Sequence, residues 1–388
     1  MRFGNDMNNN YFTGWLAAFA IIINSLAFIS YESFEYYYYF AMIGNSGIFV
    51  LIAVLHIYDK KAVFSNYFYL AMCFLYCFMS VLLTKGGPSS VHLFVLTLFI
   101  LTVLSEISFS KLQIKCMSAA LLATSLYWCS KVAYISGPDA ADSINSNSVA
   151  MFFMFSAVYL VMFAKILNFK YIKSFSFIIF AVALIEILAY QARTTLIAFV
   201  LFLIMYYIVP IKFWQNKNAV KTIFISLIIG SFLFPAAYLF LNTSDIQYMV
   251  ELYSSKSLYS GREDIWWNLI DSLLRDPSSI FIGLGSAVEL WIGNNLNLHN
   301  ASLAILVNFG LIGVVLFYTC LFKFFGEIYK RGVQNEVQII GVITILSFLI
   351  QAYSENVFLY YRLMLFNYLC FSLAINYREE TEIIGEQT

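Results

Sequence analysis

Twelve apolar runs dominate this sequence, and each approaches the roughly 20 residues that a helix needs to cross a lipid bilayer. They fall at about 12–30, 37–57, 67–84, 91–109, 116–136, 149–167, 175–190, 194–210, 222–241, 301–325, 337–354 and 357–376. The chain therefore reads as an all-α, polytopic integral membrane protein of about 12 transmembrane helices. Composition agrees: 61% of the 388 residues are hydrophobic, 11% are charged and the mean hydropathy is +0.79, far from the values of a soluble domain. The opening "MRFGNDMNNN" leads into a full-length apolar run with no small-residue cleavage site, so that run reads as the first span and not as a removed signal peptide. No internal repeat or linker divides residues 1–388, which read as a single domain, and the one large extramembrane element is the loop at about 242–300.

Charge carries information here through its placement. Lys plus Arg and Asp plus Glu each total 22, so bulk electrostatics gives no case for nucleic acid. Fifteen of the 22 basic residues, among them Lys60, Lys61, Lys111, Lys165, Lys173, Lys212 and Lys330, fall at the N-terminus, in even-numbered loops or in the tail. Cytoplasmic loops collect Lys and Arg, so both termini are predicted to be cytoplasmic. "EYYYYF" at 35–40 then falls at an outer boundary and reads as an aromatic belt. The six cysteines all lie in apolar stretches and suggest neither a disulfide framework nor a zinc site.

Three polar stretches interrupt this pattern. In "EILAYQARTTLIAF" only 38 residues separate Lys173 from Lys212, whereas two full spans and a turn take roughly 44 at about 20 residues per span. The hairpin tip is therefore predicted to sit at or below the interface, with Arg193 beside a helix N-terminus that favours an anion; a snorkelling arginine is the competing reading. Glu186, seven residues earlier and inside a span, has three options open: a proton, Arg193 or Arg362. In either paired form it reads as structural support.

The second stretch, "LYSGREDIWWNLIDSLLRDP", opens on the capping pair Ser260 and Glu263 and stops at Pro277, which predicts a helix over about 261–275. Its apolar stripe, Ile265, Trp266, Leu269, Ile270, Leu273 and Leu274, predicts a helix lying on the membrane, with Arg262 on the same face and aimed at phosphate groups. The third stretch ends "NNLNLHNASLAIL", which hangs His299 at the outer mouth of the span beginning at Ala301, with Asn300 placed as a helix cap. A lone histidine is commonly structural, yet this one shares the outer face with two arginines, and histidine is the side chain type best suited to take a proton near neutral pH. His56 and His92 lie within or at the ends of apolar runs, without polar company in the sequence.

"QARTT", "SGREDIWWNLI…GLG" and "LHNASLAILVNFGLIG", in that order and with this topology, resemble the bacterial O-antigen polymerase and O-antigen ligase superfamily, the Wzy and WaaL type of membrane glycosyltransferase. "YSENVFLYYR" resembles the C-terminal region of that family and brings Glu355 and Arg362 toward the same side. The resemblance implies transfer of an undecaprenyl-diphosphate-linked glycan at the periplasmic face of the inner membrane, without metal, cofactor or nucleotide sugar. It implies that Arg193 and Arg262 hold the diphosphate, that His299 activates the acceptor hydroxyl, and that Asn300, Glu355 and Arg362 line the substrate site. It also implies a chain-length regulator of the Wzz-type polysaccharide co-polymerase class as partner. Length and the absence of added domains favour the polymerase, with the ligase as alternative. A flippase or transporter ranks lower, because such proteins place charges near the midplane and only Glu106 and Glu186 fall within the runs here.

Overall fold

A computed structural model describes residues 3–29, 34–58, 64–84, 89–135, 146–240, 262–275, 277–284, 299–330, 332–333, 335–355, 357–358 and 361–377; at some helix ends, including Arg262, Glu263 and Arg362, it describes the backbone alone. The side chains of the aromatic run at 35–40 and of His92, together with Ser260 and most of the 242–300 loop, lie outside the described residues.

Every regular element among the described residues is a helix. In chain order these are α1 (Phe3–Ala27), α2 (Phe34–Tyr58), α3 (Phe64–Thr84), α4 (Ser89–Ser105), α5 (Lys111–Ile135), α6 (Ser146–Ile166), α7 (Ile172–Ala189) and α8 (Arg193–Tyr207). They continue with α9 (Ile211–Gln215), α10 (Lys217–Phe240), α11 (Arg262–Arg275), α12 (Pro277–Ile282), α13 (Ala301–Lys330), α14 (Glu336–Gln351) and α15 (Tyr361–Asn376). A helix stands at each of the twelve apolar runs. Four described stretches, Asn147–Ile166, Ile172–Ala189, Lys217–Ala237 and Ala301–Lys330, are long and apolar enough to cross a membrane.

Two kinds of helix follow from burial. The membrane-length part of α6 is almost wholly enclosed by protein, whereas those of α7 and α10 keep most of their surface open at the periphery. α14 is buried nearly all round and packs against α6, α8, α10 and α15. Its start is fixed by a capping box, in which Asn335 accepts from the Gln338 amide and the Gln338 side chain accepts from the Asn335 amide. Tyr159 of α6 donates to the Phe366 carbonyl and accepts from the Cys370 amide at 3.1 Å, and Phe152 stacks on Phe28 at 4.7 Å. In a medium where apolar burial between helices gains little over lipid, such polar and ring contacts hold register.

α13 is broken at Gly310, whose φ of 62° and ψ of −170° leave the helical region. α12 fills the break. The Leu284 amide donates to the Val307 carbonyl at 2.7 Å, and from α3 Ser80 donates to the Ile282 carbonyl at 3.0 Å while Tyr76 donates to the Phe309 carbonyl. Carbonyls freed by the break thus find donors inside the protein. Gly310 lies about 14 Å along α13 from its first residue at about 1.5 Å per residue, so α12 descends well into the bundle.

That descent corrects the surface reading of the α11 stripe. Trp266, Leu269 and Leu273 are buried in protein, whereas Trp267 and Leu274 are exposed. The helical periodicity was real, but the partner of its apolar face is the bundle; Trp266 packs on Phe234 of α10 with ring centroids 6.1 Å apart. Pro277 ends α11 as expected and also opens α12, where its missing N–H costs nothing.

His56 is corrected as well, since it does have polar company. Its Nδ1 lies 3.2 Å from Oε2 of Glu106, which also accepts from Tyr67 at 3.2 Å, while Oε1 accepts from Asn66 at 3.4 Å. Glu106 lies just beyond the end of α4. The cluster clamps the ends of α2, α3 and α4 together, at the end of the bundle where Lys165 of α6 pairs with Glu336 of α14. This is the end opposite His299.

Candidate active site at the His299 end of the bundle

The site begins with a cap. Asn300 accepts from the Leu303 amide at 2.7 Å, which satisfies one of the free donors at the start of α13. Its amide nitrogen donates to the Tyr353 carbonyl at 2.8 Å and to the Ser231 carbonyl at 2.9 Å. The Ala301 amide adds a bond to the Ala352 carbonyl at 3.0 Å. Asn300, expected at the substrate, is fully buried, and its side chain ties the start of α13 to α10 and to the turn that follows α14. Asn300→Ala is expected to lower stability by about 2 kcal/mol, from a lost cap and two orphaned carbonyls. A thermal unfolding measurement in detergent checks this, and Asn300→Asp, which sets a buried carboxylate oxygen against the Ser231 and Tyr353 carbonyls, should lose at least as much.

His299, one residue before this anchor, has φ of 48°, a left-handed conformation that a residue with a Cβ adopts only when its surroundings impose it. Its Nδ1 faces Glu355 Oε2 at 3.6 Å, an ion-pair distance longer than a hydrogen bond. The Glu355 side chain is 3% exposed and that of His299 is 29% exposed. The other carboxylate oxygen accepts from Asn147 of α6 at 2.8 Å. Glu355, expected as a substrate ligand, lies beside the imidazole of His299. A buried carboxylate on one side and partial exposure on the other is an arrangement that can hold a histidine as a base.

Arg193 is tied to the same turn through its neighbours. As the first residue of α8 it follows Gln191, which has φ of 52°, and Ala192, whose side chain cannot cap. Thr194 is hydrogen-bonded to Ser354, next to Glu355, and Thr195 accepts from Gln351 at 3.1 Å. The short hairpin predicted from the Lys173–Lys212 spacing is present as α7, a three-residue tip and a 15-residue α8. The structure thus gathers Arg193, His299, Asn300 and Glu355 around the turn at 351–355.

For Arg262 and Arg362 the backbone gives the placement. Arg262 opens α11 one turn before Trp266; the Phe234 ring of α10 meets Trp266 edge-on with centroids 6.1 Å apart and lies tilted to Tyr353 of the 351–355 turn at 5.7 Å. Arg362 is the second residue of α15, shortly after the Phe358 carbonyl accepts from Thr97 at 3.1 Å. Glu186 of α7 lies beside Cys129 of α5, and its Oε2 has no hydrogen-bond partner among the described residues. Asn147, Gln351 and Ser354 went unnoticed in the sequence, because isolated polar residues at helix ends carry no local signal of a partner far along the chain. No family model matches this chain, and no curated protein matches it.

Proposed function

We propose that the protein is an O-antigen polymerase: a twelve-span enzyme of the bacterial inner membrane, both termini cytoplasmic, that joins undecaprenyl-diphosphate-linked repeat units at the periplasmic face. The observation that carries this reading is the His299–Glu355 pair at the mouth of α13, on a turn tied to the Arg193 end of α8. The gathering of Lys165 and Lys330 at the opposite end is in keeping with the proposed orientation.

In the proposed reaction Arg193 and Arg262 hold the donor diphosphate, with Arg362 at the rim. Glu355 favours the tautomer with the proton on Nδ1, leaving Nε2 to take the proton of the acceptor hydroxyl. The hydroxyl oxygen attacks the anomeric carbon, the bond from that carbon to the phosphate oxygen breaks, and undecaprenyl diphosphate leaves with the electron pair. A single displacement of this kind inverts the anomeric configuration. Charge grows on the diphosphate as the bond breaks, so preset guanidinium groups favour the transition state over the ground state. No metal, cofactor or nucleotide sugar enters this scheme, and a Wzz-type chain-length regulator is the proposed partner.

The same chemistry with lipid A-core as acceptor would make the protein an O-antigen ligase. Lipopolysaccharide from a deletion strain, resolved on a gel, distinguishes the two. A strain lacking the polymerase carries cores capped by one repeat, a strain lacking the ligase carries none, and the gene on a plasmid restores the ladder. A ladder unchanged by deletion would overturn both.

A further inference from the structure

The Glu355 carboxyl makes two contacts of unequal strength. Its Oε2 stands 3.6 Å from His299 Nδ1, beyond hydrogen-bond range, whereas its Oε1 accepts from the Asn147 side-chain amide at 2.8 Å. The tighter contact sets where the carboxyl points. Backbone bonding cannot do this, because the Glu355 amide, which donates to the Gln351 carbonyl at 3.1 Å, leaves the side-chain torsions unset.

Asn147 is suited to the task by its own support. It is the second residue of α6, whose membrane-length part is almost wholly enclosed by protein. The next turns are locked by rings on two sides: Phe153 packs on Tyr190 with centroids 5.9 Å apart, and Phe155 meets Phe348 of α14 edge-on at 4.7 Å. A rigid helix thus presents a donor to a carboxyl carried on a non-helical turn, the kind of support that keeps a reacting geometry from loosening. The direction of the bond matters too. An ionised carboxylate accepts at both oxygens, so with Oε1 taken by an N–H, Oε2 is left to accept from Nδ1–H, and the lone pair falls on Nε2.

We propose that Asn147 is a positioning residue for the base: its amide turns the Glu355 carboxylate toward His299 Nδ1 and so keeps the imidazole in the tautomer that takes the acceptor proton at Nε2. The proposal rests on the reading of His299 as the base, and two readouts separate the fates of the two. The first is nitrogen NMR of protein carrying isotope-labelled histidine, measured where the ring is neutral; the chain has three histidines, and His299 is assigned by the signal lost in His299→Gly. The wild type should show the Nδ1–H form. Asn147→Leu, which keeps the branched shape but donates nothing, should move toward Nε2–H, and in a Glu355→Gln background the same change should move it no further. The second readout is release of lipid diphosphate: Asn147→Leu should lower kcat about tenfold, the worth of one hydrogen bond to a charged group, with KM for the donor unchanged. The double variant of Asn147→Leu and Glu355→Gln should be no slower than Glu355→Gln alone, because a residue that acts only through Glu355 has nothing left to lose. A wild-type ring protonated on Nε2, an Nδ1–H form that survives in Asn147→Leu, or losses that multiply in the double variant would overturn the proposal and leave the polymerase standing. An Asn147-dependent tautomer in a protein that releases no lipid diphosphate would uphold the positioning and overturn the polymerase. Should Asn147→Leu fail to fold, Asn147→Ala carries the same expectations, and the wild-type tautomer is decisive without either.

Discussion

Gly310→Ala is expected to unseat α12 from α13 and to yield a protein that unfolds at clearly lower temperature. Two costs add. A Cβ at this position would lie 2.2 Å from the carbonyl carbon of Phe281, where backbone and not a yielding side chain stands in the way. The dihedrals of Gly310 also belong to a region that is essentially closed to residues with a Cβ, a strain of about 1–3 kcal/mol before any clash. Gly283→Ala repeats the experiment from the other side of the contact, since its Cβ would lie 2.5 Å from the Asn308 carbonyl carbon at a φ of 83°. Gly326 in the same helix α13 has open space around its would-be Cβ, so Gly326→Ala should leave stability unchanged or improve it. Melting temperatures of the three variants in one detergent test this, and a Gly310→Ala protein as stable as Gly326→Ala would mean that the crossing of α12 and α13 is not as described.

The second large effect concerns His299. If its imidazole is the base, His299→Ala should slow polymer formation by about 10²- to 10⁴-fold, the usual contribution of general base catalysis. The left-handed φ of 48° adds a diagnostic that a merely structural histidine would fail. Glycine relieves that strain, so His299→Gly should be at least as stable as the wild type and as inactive as the alanine variant. Glu355→Gln keeps the shape of the side chain and an acceptor for Asn147 but removes the charge behind Nδ1, and a smaller loss of activity at unchanged expression is expected. Cellular lipopolysaccharide ladders at matched protein levels report all three. Long chains made by His299→Gly would remove the imidazole from the mechanism.

What the sequence disclosed and what it hid follow one physical division. The helices were legible because each apolar run must satisfy its own backbone hydrogen bonds, and the start of α13 was legible because Asn300 is a good capping residue in the right place. Contacts between distant stretches were not. Nothing near His56 in the chain announces Glu106, 50 residues on, and nothing near His299 announces Glu355 beside its Nδ1. The α11 stripe shows the same limit in another form, since an apolar face at helical spacing reads alike whether it meets lipid or protein. Trp266, buried against Phe234, met protein. The break at Gly310 was hidden because a glycine in an apolar helix carries no mark of a neighbour, and its meaning came only with Phe281 against it.

The most direct measurement is release of undecaprenyl diphosphate by the purified protein from a synthetic lipid-linked repeat unit, followed together with glycan length. The wild type should release one lipid diphosphate for each glycosidic bond formed, and His299→Ala should do so about 10²- to 10⁴-fold more slowly while still binding the donor. Equal rates for the two proteins, or glycan extension without lipid diphosphate release, would contradict a site built on His299 and Arg193.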